Sequence, residues 1–251
     1  MTGLVALLKK ELREQLRTYK LLIVTAVFLF FGFATPLLIK YTPQLLEATG
    51  EDIIVQMPEP SAAMAIGEYA GTIVQIGVLI AVLMLMGAVA RERNRGLAAM
   101  ILSKPVSRGA YITAKFLATS VSFIAALVLG STACWIYTVL LIEPASVSAF
   151  LGLNLLMALF LVFCLSVTLL CSSLFRNQLI AGGVALVVLV VQALLTQVPG
   201  FGDYMPGQLT GWGIGLLSSP QPAAWPAVAV CMVLTIACLF LSPVVLRRKE
   251  L

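Results

Sequence analysis

Residues 149–198 read AFLGLNLLMALFLVFCLSVTLLCSSLFRNQLIAGGVALVVLVVQALLTQV. Two apolar runs, Ala149–Cys171 and Leu179–Val198, flank the short segment Ser172–Gln178, and Arg176 is the one charged side chain in the stretch. A helix needs about 20 apolar residues to cross the roughly 30 Å hydrocarbon core of a bilayer. Both runs reach that length, and the segment between them suffices only for a tight reversal. The stretch therefore predicts a helical hairpin inside a membrane. Four more runs qualify, again without Asp, Glu, Lys or Arg inside: Leu21–Ile39, Tyr69–Ala90, Phe116–Leu141 and Ala223–Leu246. Membrane β-strands are shorter and alternate with period two, and nothing here alternates that way. The expected fold is all-α: a polytopic bundle of six transmembrane helices, with residues 1–251 forming one membrane domain.

Composition agrees. The chain has 251 residues, 61% hydrophobic and 11% charged, with a mean hydropathy of +1.04. Soluble domains run about 45–50% apolar and about 25% charged. All charged residues lie outside the six runs, and they are sorted. Lys9, Lys10, Arg13, Arg17 and Lys20 precede the first run. Arg91, Arg93, Arg95, Lys104, Arg108 and Lys115 join the second to the third, Arg176 lies in the hairpin turn, and Arg247, Arg248 and Lys249 end the chain. Lys40 alone is on the opposite side, where most of the acids lie: Glu47, Glu51, Asp52, Glu59, Glu68, Glu143 and Asp203. Excess Lys and Arg marks the cytoplasmic side of a membrane protein. Both termini are therefore expected in the cytoplasm, in the inner membrane of a prokaryotic cell. The net charge of +5 reports topology rather than nucleic-acid binding.

The leading segment, residues 1–20, is patterned. Leu4, Leu8, Leu12 and Leu16 recur every four residues, with Val5 and Tyr19 on the same side, and Lys9, Lys10, Arg13, Glu14, Arg17 and Lys20 lie opposite. This is a basic amphipathic helix expected in the interface. Anchoring to anionic lipid and bordering a cytoplasmic partner fit the pattern equally. A cleaved signal peptide ending near Gly32 and Ala34 is disfavoured, because the segment is long and carries Glu11 and Glu14. On the outer side, Ser61 is placed to cap a helix running into the second span. Gln208–Leu217 reads as a short interfacial or re-entrant piece, with Trp212 and Trp225 as surface anchors.

Much chemistry is missing. The chain has no histidine, which removes His-ligated zinc, the Ser-His dyad and imidazole proton relays. No span holds a charge, against the habit of ion-coupled carriers. No G-x-x-x-x-G-K-[ST] phosphate loop is present, and Glu68 stands alone at the outer edge. Neither a catalytic nor a metal site can be assembled, and no cofactor is expected on this chain. Cys134, Cys164, Cys171, Cys231 and Cys238 all fall in apolar runs and read as packing residues, with a soft-metal path the weaker alternative. Gln75, Asn154 and Gln192 are polar residues at depth. Interhelical hydrogen bonding is the commoner role for such residues, and lining a substrate path is the other.

The densest polar patch is Arg91–Lys115, RERNRGLAAMILSKPVSRGAYITAK. Leu97, Met100 and Ile101 lie at i, i+3 and i+4, a short apolar face. Pro105 biases Lys104 out of the helical region, and Ser107 is placed to cap the helix leading into the third span. A positive-inside loop accounts for the charge, but it has no need of a short apolar helix with a proline stop.

This loop resembles the first cytoplasmic loop of the ABC type-2 transporter permease family, whose pattern E-R-x-x-G-x-x-x-x-x-L-x-x-P-x-x-R is met by Glu92, Arg93, Gly96, Leu102, Pro105 and Arg108. Asn94 and Arg95 depart from it, standing where an acidic and another polar residue are frequent. The amphipathic lead KKELREQLR, the turn CSSLFRNQ, the six spans and the basic end VVLRRKEL extend the resemblance over most of the chain. It implies a half-transporter: two six-span chains, identical or paired with a sister permease, above two cytoplasmic ABC ATPase subunits that carry ATP and Mg. Residues 91–115 would then form a coupling helix seated on the ATPase. Leu97, Met100 and Ile101 would be its apolar anchor, with Arg91, Arg93, Arg95 and Arg108 its polar rim and Arg176 a secondary contact. Export of a lipid, peptide, glycan or drug-like amphiphile is the expected direction. A mechanical role on envelope partners, with an extracytoplasmic accessory protein, stays open. The competing reading is an ATP-independent channel or secondary carrier.

Overall fold

A computed structural model describes residues 2–48, 60–94, 96, 107–218 and 223–249. Among them every regular element is helical. Helix α1 spans Thr2–Arg17 and α2 Lys20–Ala48. Helix α3 spans Ala62–Leu85, α4 is the short Ala90–Asn94, and α5 is the long Arg108–Leu141. The hairpin follows as α6 (Val147–Leu174) and α7 (Gln178–Leu195). A 3-10 turn at Gly202–Tyr204 precedes α8 (Gln208–Ser218) and α9 (Trp225–Lys249). Six segments are long and apolar enough to cross a membrane, within α2, α3–α4, α5, α6, α7 and α9.

Helix boundaries follow local chemistry. Ser61 accepts a hydrogen bond from the Met64 amide (3.2 Å), and Ser107 accepts one from Ala110 (3.1 Å), so both serines cap as expected. Helix α3 gains a second cap: Glu143, from the α5–α6 loop, accepts from the Ala62 amide at 2.8 Å. Helix α2 runs through Pro36 and Pro43, further than the apolar run ending at Ile39. Bilayer helices tolerate proline where neighbours satisfy the freed backbone. The second span departs more sharply from expectation. It stops being helical at Met86–Val89 before α4 begins.

Helix α6 is the centre of the bundle. One side of it joins Phe28 (α2), Ile73 (α3) and Phe123 (α5) through Leu153, Met157 and Leu161. The other side joins Leu189 (α7), Leu209 (α8) and Cys231 (α9) through Leu156, Phe160 and Cys164. Burying such large side chains on both faces makes α6 the layer between two cores. Helices α7 and α9 turn most of their apolar surface outward, as do stretches of α2 and α5, which suits lipid as the surrounding medium. The tightest approach is between α2 and α5. A Cβ on Gly130 would lie 2.6 Å from the Phe28 carbonyl, and Gly32 abuts Gly130 in turn. Paired glycines allow such close helix packing in membranes. All five cysteines are free, and four are buried among packed side chains.

Between α1 and α2 the chain bends at Tyr19, whose φ is +58°. A left-handed residue ends α1 while the helix hydrogen bonds resume at once, with the Ile23 amide donating to the Tyr19 carbonyl (2.9 Å). Such a position usually holds glycine.

Candidate functional site

The basic end of the bundle gathers charged side chains that are far apart in sequence. Lys115 lies on the second turn of α5 and is only 4% exposed. Its ammonium meets Glu92 Oε1 at 2.7 Å and Glu11 Oε1 at 3.0 Å. The Tyr111 hydroxyl, one turn earlier on α5, donates to Glu92 Oε2, and Lys115 also sits 5.1 Å from the Tyr111 ring centre. One buried cation thus joins α1, α4 and α5. Below it the polar contact continues. Gln15 donates to Thr119 at 3.1 Å and accepts from Ser122.

These contacts follow from helical spacing. Leu7, Glu11 and Gln15 form one row on α1, and Lys115, Thr119 and Ser122 form one row on α5. Polar atoms of one row meet those of the other, so few polar groups enter the interface unsatisfied. The leucine stripe of α1 flanks this row, and Leu16 and Val5 stay exposed. Lys10 lies beside the cluster, 3.4 Å from Glu11 and 3.7 Å from Glu14. Burial lowers its pKa, but the Glu11, Glu92 and Glu14 carboxylates outweigh this and hold it above the usual lysine value. That stabilisation is present at neutral pH and is lost as pH rises through the raised value.

A second set of bonds grips the same segment from the hairpin. The Ser172 hydroxyl donates to the Met86 carbonyl (2.9 Å) and accepts from the Val89 and Ala90 amides (3.1 and 3.2 Å). It thereby satisfies the backbone groups that the break at Met86–Val89 leaves open. Arg93 donates to the Ser173 carbonyl at 3.2 Å, and Arg91 Nε donates to Gln178 Oε1 at 2.8 Å. Gly96 has φ +70° and its amide returns to the Arg93 carbonyl at 3.1 Å, so it ends α4 in the left-handed conformation that glycine accepts best.

The expected coupling residues divide accordingly. Arg91, Glu92, Arg93 and Gly96 belong to this anchored stub. Arg108 begins α5, and Arg176 is exposed in the α6–α7 turn. Arg95, Leu97, Met100, Ile101 and Pro105 lie outside the described residues. The three polar residues at depth have separate surroundings. Gln75 is exposed on α3, Asn154 donates to the Phe150 carbonyl of its own helix (2.8 Å), and Gln192 bonds Thr196 (3.3 Å). The Asn154 carbonyl oxygen is buried with no partner.

Lys115, Glu11, Tyr111, Ser172 and Gln178 were not among the candidates read from the sequence. A signal existed for two of them. Glu11 and Gln15 sit one turn apart between the leucine and basic stripes of α1, and Lys115 precedes Thr119 and Ser122 at helical spacing. Ser172 carried none, because its partners are backbone groups that only a broken helix exposes.

Two comparisons bear on this arrangement. Residues 5–251 match the family model of the ABC-2 family transporter proteins. The chain is also similar to the uncharacterized transmembrane protein YxlG of Bacillus subtilis (strain 168), with 31% identity over 180 residues, covering 70% of each chain. Permeases of this family are membrane subunits that work with ABC ATPase subunits. With its six apolar spans and a family match over nearly its whole length, the chain belongs to the ABC-2 transporter family and is a multi-pass membrane protein of the permease type.

Proposed function

We propose that this chain is the permease subunit of an ABC exporter, with its basic end in the cytoplasm, two ABC ATPase subunits docked there and a second permease chain beside it. The observation that carries the reading is the double anchoring of α4. Glu92 ties it through Lys115 to α1 and α5, and Arg91, Arg93 and the backbone at Val89 and Ala90 tie it to the α6–α7 hairpin. A load applied to residues 91–108 therefore reaches four helices at once. Transmission needs contacts that differ between two states, and the non-helical Met86–Val89 link supplies a place where α4 can turn relative to α3. The charge sorting supports the orientation.

Energy conversion is assigned to the partner. The sequence carries no phosphate loop, and the ATPase binds and hydrolyses ATP with Mg. The substrate is proposed to be an amphiphile, because the six apolar runs carry scattered hydroxyls and no charge. Met100→Asp and Gly96→Trp test the docking segment. Each is expected to abolish substrate-dependent ATP turnover of the reconstituted complex while leaving the permease in the membrane. Unchanged turnover in both variants would refute the assignment of residues 91–115, and transport by the permease reconstituted alone would favour an ATP-independent channel or carrier.

A further inference from the structure

A cavity of about 150 Å³ opens at the basic end, bounded by α1, the α1–α2 bend, the last turn of α3 and the start of α7. Its charged lining is balanced: Glu11, Glu14 and Glu92 against Lys20, Arg91 and Lys115. The balance is not spent internally. Lys115 is held by Glu11 and Glu92, and Lys10 pairs with Glu11 Oε1 at 3.4 Å and Glu14 Oε2 at 3.7 Å, yet among the described residues Glu11 Oε2 and Glu14 Oε1 accept no hydrogen bond or ion pair. Lys20 Nζ likewise has no partner there, and Arg91 commits only its Nε, to Gln178. One carboxylate oxygen each from Glu11, Glu14 and Glu92 lies within 4.8 Å of the others. The cavity therefore keeps acceptors at Glu11 Oε2 and Glu14 Oε1 and cationic donors at Lys20 and Arg91. Gln15, Thr119 and Gln178 also line it, Leu83 and Met84 give it an apolar side, and Leu83 is 63% exposed on the outer surface of the bundle.

The geometry points to a binding site for a phosphoethanolamine headgroup, with the lipid's acyl chains lying along the outer surface at Leu83. Carboxylate oxygens and cationic donors in one cavity give both ends of a zwitterion a partner, whereas a purely anionic headgroup would face the Glu11 and Glu14 carboxylates with like charge. A primary ammonium donates three hydrogen bonds, which matches the free oxygens of Glu11 and Glu14. A choline headgroup has no donor and cannot satisfy them. The phosphate oxygens take Lys20 and the free edge of the Arg91 guanidinium as charge-assisted partners. Size agrees, because a closed cavity of about 150 Å³ holds benzene in another protein, and a phosphoethanolamine group is only slightly larger in an open-mouthed one. Such a lipid would bridge α1 to α4 and α7.

The test uses the purified, delipidated full chain and native mass spectrometry with added phosphatidylethanolamine, phosphatidylcholine or phosphatidylglycerol. One phosphatidylethanolamine is expected to be retained per chain in preference to the other two. Soluble glycerophosphoethanolamine should compete with it, whereas inorganic phosphate should not. Glu14→Gln and Lys20→Gln should each weaken retention by about tenfold, the equivalent of about 1.4 kcal/mol for one charged hydrogen bond. Lys9→Gln, on the outer face of α1, should leave it unchanged. Glu14 and Lys20 are both partly exposed, so neither change threatens folding, and melting of the lipid-free variants checks this. Equal retention of all three lipids, competition by phosphate alone, or insensitivity to both variants would overturn the assignment.

Discussion

Replacing Lys115 with methionine isolates the contribution of the buried cluster. Methionine keeps an unbranched side chain, one atom shorter, and removes the ammonium with its charge and its hydrogen bonds. The change leaves Glu11 and Glu92, whose side chains are 10% and 14% exposed, facing each other without their shared cation. Breaking a buried ion pair by removing one partner costs about 3–5 kcal/mol. The residual exposure of both carboxylates places the expected cost near the lower bound, about 3 kcal/mol. For a chain of this size each kcal/mol corresponds to about 2–4 °C in melting temperature, so Lys115→Met should melt about 6–12 °C lower in detergent. Glu11→Gln and Glu92→Gln should each cost less, because the remaining carboxylate still pairs with Lys115. The discriminating variant is the triple change Lys115→Met, Glu11→Gln, Glu92→Gln. Replacing a whole buried ionic group by neutral residues is often close to neutral, so it should recover most of the lost stability. It should nevertheless remain uncoupled, since α4 no longer grips α1 and α5. A Lys115→Met melting point within about 1 °C of the parent, or a triple variant as unstable as the single one, would show that the Lys115–Glu11–Glu92 cluster does not carry this stability.

Other outcomes follow from single contacts. Ser172→Ala should cost about 2–3 kcal/mol, by leaving the Val89 and Ala90 amides and the Met86 carbonyl short of partners. Loss of hydrogen-exchange protection at those two amides checks it. Gly130→Ala forces α2 and α5 apart, because the new methyl meets the Phe28 carbonyl at 2.6 Å; a lower melting temperature is expected, and an unchanged one would contradict the packing. Tyr19→Gly should raise stability by about 1 kcal/mol, since Tyr19 occupies a left-handed conformation that costs an L-residue about that much. A fall in melting temperature would show that the tyrosine side chain supplies more than the bend loses.

The spans were legible because the bilayer imposes one requirement, about 20 uncharged residues, that Ala149–Cys171 and Leu179–Val198 meet without ambiguity. Caps at Ser61 and Ser107 were legible for a similar reason, since a hydroxyl before an apolar run has one obvious use. The break in the second span was not. Met86–Val89 contains neither proline nor a charge, and hydropathy alone continues the helix through it; Gly87 weakens the helix there, and the Ser172 hydroxyl from α6 takes up the backbone groups that the break opens. The buried cluster was hidden by the topology rule itself. Lys115 counts as one more basic residue on one side, and Glu11 as an acid in a basic helix, until α1 lies against α5 and pairs them. Charge bookkeeping records the side of the membrane and says nothing about which charges meet.

Residues 91–115, as the proposed docking segment, would receive force from an ABC ATPase, and a photo-activatable amino acid at position 100, in cells carrying the full complex, reads that contact. A covalent adduct between this chain and an ABC ATPase subunit is expected, with yield that changes when ATP hydrolysis is blocked. Capture of lipid alone at position 100, in cells where the ATPase is present and the permease is folded, would contradict it.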